Sequence, residues 1–171
     1  MNPIETLKLD EEVPDEIYLS AVRHARTPEE IAFRDVLIFH RDALNGGLDQ
    51  ALDNQVTDPG QLARFIQAFD LIGLGNVAAL IRDGHAELSL SGPTSASSEF
   101  DALADRYTLF AYGQDGDQPD AIERHAIAFA QSRSDAFSNV VARATALEAE
   151  LETDSLLWRI GDLARGHKEQ S

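Results

Sequence analysis

The feature that most constrains this chain is a helix, an abrupt corner and two further helices between residues 33 and 83. Phe33, Val36, Leu37, His40 and Leu44 recur at i, i+3, i+4, i+7 and i+11, the spacing that lines one face of a helix, while Arg34, Asp35, Arg41 and Asp42 fall on the other side. The corner reads Asn45-Gly46-Gly47-Leu48-Asp49-Gln50. Gly46 or Gly47 can adopt a left-handed conformation without the steric cost of a β-carbon, and Asn45 tolerates it, so the pattern predicts that the helix stops here. Asp49 is expected to cap the short turn that carries it and Gln50. Asp58-Pro59 then supplies an N-cap followed by proline at the first helical position, and Leu62, Phe65, Ile66, Phe69 and Ile72 repeat the apolar stripe. Gly73-Leu74-Gly75 breaks that helix. Leu74, Val77, Ala78 and Ile81 carry a third, which Asp83-Gly84 is expected to end.

The flanks follow the same grammar. Pro14-Asp15 starts a helix through Ile17, Leu19, Ala21 and Val22 to about Arg26, and Thr27-Pro28-Glu29-Glu30 combines capping-box spacing with an early proline. Residues 86–98, rich in serine and holding Gly92-Pro93, read as a surface loop. Helices are expected from Glu99 to Tyr112 and from Pro119-Asp120 through Ile122, Ala126, Phe129 and Ala130. Ser134 is expected to cap a last long element through Phe137, Val140, Val141, Ala144, Leu147 and Leu151. The pattern resumes with Leu157, Trp158, Ile160, Leu163 and Ala164 and ends at Gly166. Together these elements predict an all-α, single-domain bundle of about six to eight helices over residues 1–171, with 134–166 as a C-terminal helical extension.

A chain of 171 residues can bury on the order of 70% of its unfolded surface in one core. Hydrophobic residues make up 43% of it, so a formal net charge of −16 does not mark a disordered acidic tail. Cysteine is absent, which excludes disulfides, thiolate nucleophiles and Cys-ligated metal. The opening Met1-Asn2-Pro3-Ile4-Glu5-Thr6 lacks the basic and apolar regions of a secretion signal, and no run approaches the ~20 apolar residues of a membrane span. A cytoplasmic protein is expected. So negative a surface repels nucleic acid and anionic lipid and attracts basic surfaces over about a Debye length.

Thirteen carboxylates share three windows with no lysine or arginine among them: 83–105, 115–123 and 148–154. On helices, Asp101 and Asp105, Glu148 and Glu152, and Glu150 and Asp154 stand four residues apart, about 6 Å along the axis. That approaches the roughly 6 to 7 Å between successive phosphates of one DNA strand. Each like-charge pair costs a helix a few tenths of a kcal/mol. The simplest reading of any one pair is a solvated face; the alternative is a use for the field.

Signals for catalysis are weak. His24, His40, His85, His125 and His167 form no pair at metal-ligand spacing on one helix face. His40 lies on an apolar stripe, where a hydrogen-bonded core histidine is the commoner outcome. Gly73-Leu74-Gly75-Asn76-Val77-Ala78 matches G-x-G-x-x-A but follows a helix, without the strand that dinucleotide binding requires. No catalytic residue, cofactor or metal site is expected.

The corner Asn45 to Gln50, followed by Ala68 to Gly73 and Ala78 to Ile81, resembles the bacterial DNA-mimic protein family, a helical domain long regarded as one of unknown function. Leu103-Ala104-Asp105-Arg106-Tyr107 and Asp135-Ala136-Phe137 extend the resemblance, which spans residues 27–137. Leu48 stands where an aromatic is usual, and the serine-rich loop near 89–98 is a further departure. The resemblance implies a helical fold without known catalytic residues and, in at least one branch, a surface that imitates DNA.

The combined reading is a protein that occupies the DNA-binding surface of a basic, DNA-binding protein. The expected binding face holds Asp101, Asp105, Asp115, Asp117, Asp120, Glu148, Glu150, Glu152 and Asp154, and Asn45, Gly46, Gly47, Asp49 and Gln50 form a structural corner. Two other readings stand beside it. One is an immunity-type inhibitor of a basic, nuclease-like toxin. The other is a small helical ligand-binding domain with a pocket around His40 and the corner. The apolar pattern around Trp158 is a candidate homodimer interface.

Overall fold

The computed structural model describes residues 2–91, 97–113 and 119–147, and among them the chain is all helix and turn. The elements are α1 (Asp15–His24), α2 (Pro28–Gln55), α3 (Pro59–Ile72), α4 (Gly75–Ser91), α5 (Ser98–Tyr112) and α6 (Ala121–Ser132). A 3₁₀ turn, Ser134–Phe137, leads into α7, residues 138–147. The expected apolar pattern at Leu151, Leu157, Trp158, Ile160, Leu163 and Ala164 lies outside the described residues.

α2 is the axis of the bundle, touching α1, α3, α4, α5, α6 and the 3₁₀ turn. Its start is the predicted capping box: Thr27 Oγ1 accepts from the Glu30 N–H at 3.1 Å, and Glu30 returns the bond to the Thr27 N–H at 3.2 Å. Glu30 does more than cap its own helix. Its fully buried carboxylate also accepts from Arg26 N at 2.8 Å, Asn139 N at 2.9 Å, Val140 N at 3.0 Å and Asn139 Nδ2 at 3.1 Å. It therefore satisfies open N–H groups of α7 as well as those of the two residues that lead into α2. Ser134, expected as the cap of the last helix, instead begins the 3₁₀ turn and its hydroxyl bonds Glu5. A distant buried carboxylate has taken its place.

Helix α2 does not stop at the glycines. It bends at Gly47, whose φ of 93° and ψ of 170° are the only non-helical angles inside it, and runs on to Gln55. The chain had been expected to turn loosely through Asp49 and Gln50, but a single glycine absorbs the whole corner, leaving those two residues helical. Asp42 then fastens the two halves together. Its Oδ1 accepts from Gln50 Nε2 at 3.1 Å and Asn54 Nδ2 at 3.2 Å, and its Oδ2 from Gln55 Nε2 at 2.9 Å. Burial pushes the Asp42 carboxyl up, yet the bonds from Gln55, Gln50 and Asn54 outweigh it and hold the group below the usual aspartate range. Among the named corner residues, Asn45, Gly46, Gly47 and Asp49 are exposed and Gln50 is half-buried against Asp42.

Two other expectations are corrected. Asp35, placed by its spacing on the polar side of α2, is only 1% exposed because α3 packs across that side. Its Oδ1 accepts from Arg34 at 2.7 and 2.8 Å, and Arg64 Nε on α3 pairs with Oδ2 at 2.9 Å. Helix α4 runs past Gly84 to Ser91, so the first residues of the predicted serine-rich loop are helical. One helical glycine costs about 1 kcal/mol, and burial against Leu48, Leu52 and Phe100 overrides it.

The buried side chains from Ile4 to Ala144 form one cluster. Aromatic edges join its helices: Phe33 meets Phe137 at 5.4 Å between ring centroids, and Phe39 meets Phe65 at 5.3 Å and Phe69 at 5.8 Å. Leu44, the last member of the predicted α2 stripe, is 42% exposed, since the stripe leaves the core just before the bend.

Two stability measurements check these devices. Glu30→Gln keeps the volume but puts an NH₂ among donors, and urea unfolding is expected to show a loss of about 2 to 4 kcal/mol at pH 7. Burial raises the Glu30 carboxyl, but the N–H groups of Arg26, Val140 and Thr27 and the Asn139 amide bring it below the usual value. A depressed carboxyl stabilises above its unfolded pKa, roughly 4.3, and loses that contribution as pH falls through the folded value. The gap between wild type and Glu30→Gln should therefore narrow on acidification through that window. Gly47→Ala should cost about 1 to 3 kcal/mol, because its angles are those that only glycine adopts readily. Gly73→Ala, at a left-handed helix end with open space around it, should cost less.

Candidate functional site

Nine acids were expected to form a binding face, and the described residues contain three of them. Asp101 and Asp105 are exposed one turn apart on α5, following Glu99, also exposed. The α5 N-cap, Ser97, holds Glu87 of α4 through a hydroxyl bond at 3.2 Å, and Asp83 lies exposed one turn earlier on α4. Asp83 and Glu87 thus stand one turn apart on α4, as Asp101 and Asp105 do on α5. Asp115, Asp117, Glu148, Glu150, Glu152 and Asp154 lie outside the described residues.

Asp120 is placed differently from the expectation of a solvent face. It is the N-cap of α6, its Oδ1 accepting from Ile122 N at 2.8 Å and Glu123 N at 3.0 Å, and its side chain is 11% exposed. Its Oδ2 meets His40 Nε2 at 2.5 Å, and His40 Nδ1 meets the Tyr107 hydroxyl at 2.9 Å. His40 is fully buried. The chain Tyr107, His40, Asp120 thus ties α5, α2 and the start of α6 through otherwise unpaired polar groups, the core histidine that the apolar stripe suggested. Burial drives the Tyr107 phenol well above its usual range, and the Asp120 charge adds to it. Burial raises the Asp120 carboxyl too, but the contact with His40 and the N–H groups of Glu123 and Ile122 leave it below the aspartate norm.

Beside this relay opens a cleft of about 580 Å³. One side is the N-terminal arm with Asp10, Glu11 and Glu12, and the floor is the last turn before the bend, Arg41, Leu44 and Asn45. Tyr112 at the end of α5 and Pro119, Asp120 and Glu123 at the start of α6 close it. His40 does not line it. Arg41 and Glu123 are committed internally. Arg41 donates to Val13 O at 2.6 Å and to Glu123 Oε1 and Asp15 Oδ1, each at 3.2 Å, and stacks 4.2 Å above the Tyr18 ring. The other Glu123 oxygen accepts from Val13 N at 2.7 Å. Burial, then the charge of Asp120 and a hydrogen bond to it, then Glu123 and Glu12, push the Tyr112 phenol up to about 12.

Spacing had revealed neither this cleft nor the role of Glu123, which belonged to a window without bases. Its cation, Arg41, comes from another helix. The available signal was the acid run Asp10-Glu11-Glu12. No group of three histidine or acidic side chains close enough to hold a metal occurs among the described residues, and no helix there is long and apolar enough to cross a membrane.

A family model described as DMP19-like protein matches residues 25–134, which hold α2 to α6, the corner, the relay and most of the cleft. No curated protein and no solved structure matches the chain.

Asp120→Ala is expected to uncap α6 and leave His40 Nε2 buried without its acceptor, lowering stability by about 2 to 4 kcal/mol in urea unfolding. Asp120→Asn, which retains a capping oxygen, should lose less.

Proposed function

The chain belongs to the DMP19-like family, and from that premise we propose that it acts by binding, as an acidic mimic of DNA that occupies the DNA-binding surface of a basic protein. The observation that carries this reading is the net charge of −16 on a helical fold whose described residues leave Asp101 and Asp105 exposed one turn apart. Carboxylates at that rise, about 6 Å, match the groups that lysine and arginine side chains grip along a DNA strand. Asp115, Asp117, Glu148, Glu150, Glu152 and Asp154 are proposed to extend the same face. The partner is a DNA-binding protein such as a transcription regulator, a nucleoid protein or a nuclease. Affinity comes from carboxylate pairs with arginine and lysine, and choice of partner from a few apolar contacts at the rim.

Capture from a native lysate with the purified chain as bait, eluted by salt and repeated with excess duplex DNA, tests the reading. A DNA-binding protein that leaves at moderate salt and is displaced by DNA is the expected result; recovery of a partner indifferent to DNA overturns it. Reversal of Asp101 and Asp105 to lysine should weaken capture about tenfold, since each charge loses an attraction and gains a repulsion. Reversal of the exposed Asp70 on α3 should have little effect. Asp35 cannot serve as that control, because reversing a buried partner of Arg34 and Arg64 would damage the fold.

A further inference from the structure

The cleft beside the bend of α2 is more than a concentration of charge. Five carboxylates, Asp10, Glu11, Glu12, Asp120 and Glu123, face it with one guanidinium, Arg41. Arg41 is already bound to Val13, Glu123 and Asp15, so it offers a visiting anion nothing further. Asp10 and Glu12 accept no hydrogen bond from any described residue, and Glu11 is engaged only by Lys8 in an exposed pair. The walls are amphipathic. Leu44 presents an apolar side chain 42% exposed, and the half-buried Tyr112 ring stands next to Asp120 and Glu123.

These features select among cations. A bare divalent ion is disfavoured, because the carboxylates are not gathered into a metal-ligating group among the described residues. About 580 Å³ suits an organic group. A planar guanidinium can lie against an aromatic face while its edge donates to carboxylates, and its aliphatic stem can cover a leucine; an ammonium does only part of this. Arginine is also the cation most enriched at protein interfaces.

We propose that this cleft seats an arginine side chain of the protein partner, packed between Tyr112 and Leu44 and paired with Glu12 and Asp10. The inference rests on the DNA-mimic reading and gives it an anchor site separate from the exposed pair Asp101 and Asp105 on α5. The exposed acids supply long-range attraction, and the cleft fixes the partner's register through one desolvated residue.

Titration of the ¹⁵N-labelled full chain with a blocked tetra-arginine peptide, and separately with tetra-citrulline, its uncharged analogue, tests the site by amide shifts. Tetra-arginine is expected to give saturable shifts at Glu12, Asn45 and Tyr112 that tetra-citrulline does not. The double substitution Asp10→Asn and Glu12→Gln should weaken that binding about tenfold with an unchanged melting temperature, since neither side chain makes an internal hydrogen bond. Shifts confined to Asp101, Asp105 and their neighbours, no saturable shift, or equal shifts with citrulline would overturn the cleft. The same double variant used as bait separates this inference from its premise. If a DNA-displaceable partner is captured undiminished by it, the cleft is wrong and the mimic reading stands. If no DNA-displaceable partner is captured by wild type, the mimic reading itself fails.

Discussion

The Glu30 carboxylate receives five hydrogen bonds from two stretches of chain: Arg26 and Thr27, which lead into α2, and Asn139 and Val140 at the start of α7. A helix begins with N–H groups that have no partner within the helix, and burying them without acceptors costs about 1 to 3 kcal/mol each. One carboxylate at 0% exposure meets that need at the start of α7 and for the two residues that lead into α2. The negative charge at two helix N-termini also has a favourable electrostatic setting, which helps to hold a buried acid in its charged form. Thr27 Oγ1 donating to Ala136 O and Ser20 Oγ donating to Val140 O complete the seam, so the 3₁₀ turn and α7 are held to α1 and α2 by polar as well as apolar contacts.

With its start fixed, α2 can serve as the axis, and the bend at Gly47 decides what the axis supports. Before the bend, α2 presents Phe33, Val36, Leu37 and Phe39 to the core; after it, Leu48, Ala51 and Leu52 are buried, with Leu48 and Leu52 against Gly84 of α4. A straight helix of 28 residues would be about 42 Å long and would carry its last two turns or so beyond so small a bundle. The bend folds those turns back, and Asp42 locks the angle. It also creates the cleft, since Leu44 and Asn45 are left at the outer edge of the corner, where neither half of the helix covers them.

Much of this was legible from local pattern. The capping box at Thr27, the Asp58 cap with Pro59, the α3 stripe and the buried hydrogen-bonded His40 all follow from residues within one or two turns of each other. What the pattern could not show depends on elements far apart in the chain. Asp35 reads as a surface residue until α3 brings Arg64 over it, and Glu123 belongs to a stretch without bases until Arg41 arrives from α2. Gly84 looks like a stop because nothing nearby in sequence says that Leu48, Leu52 and Phe100 will pack on it. The sequence places the break at Gly46 or Gly47, but whether a glycine ends a helix or bends it is decided by whether the next residues have a core to reach. Here Leu48, Ala51 and Leu52 do.

The same distinction governs how an excess of acid becomes a surface. Counting carboxylates along the chain treats them as alike, whereas the fold divides them by what their oxygens already hold. Glu30, Asp35, Asp120 and Glu123 are consumed by N–H groups, arginines or a histidine, and their removal would be felt as lost stability. Asp101, Asp105, Asp10 and Glu12 hold no such bonds among the described residues and stand in solvent. Only carboxylates of this second kind can exchange water for a partner's guanidinium without first breaking an internal contact, so only they yield net binding energy. An acidic helical protein that binds basic surfaces therefore needs both populations, one that secures the helices and one left idle by the fold. Its affinity should follow the second population and not the total charge.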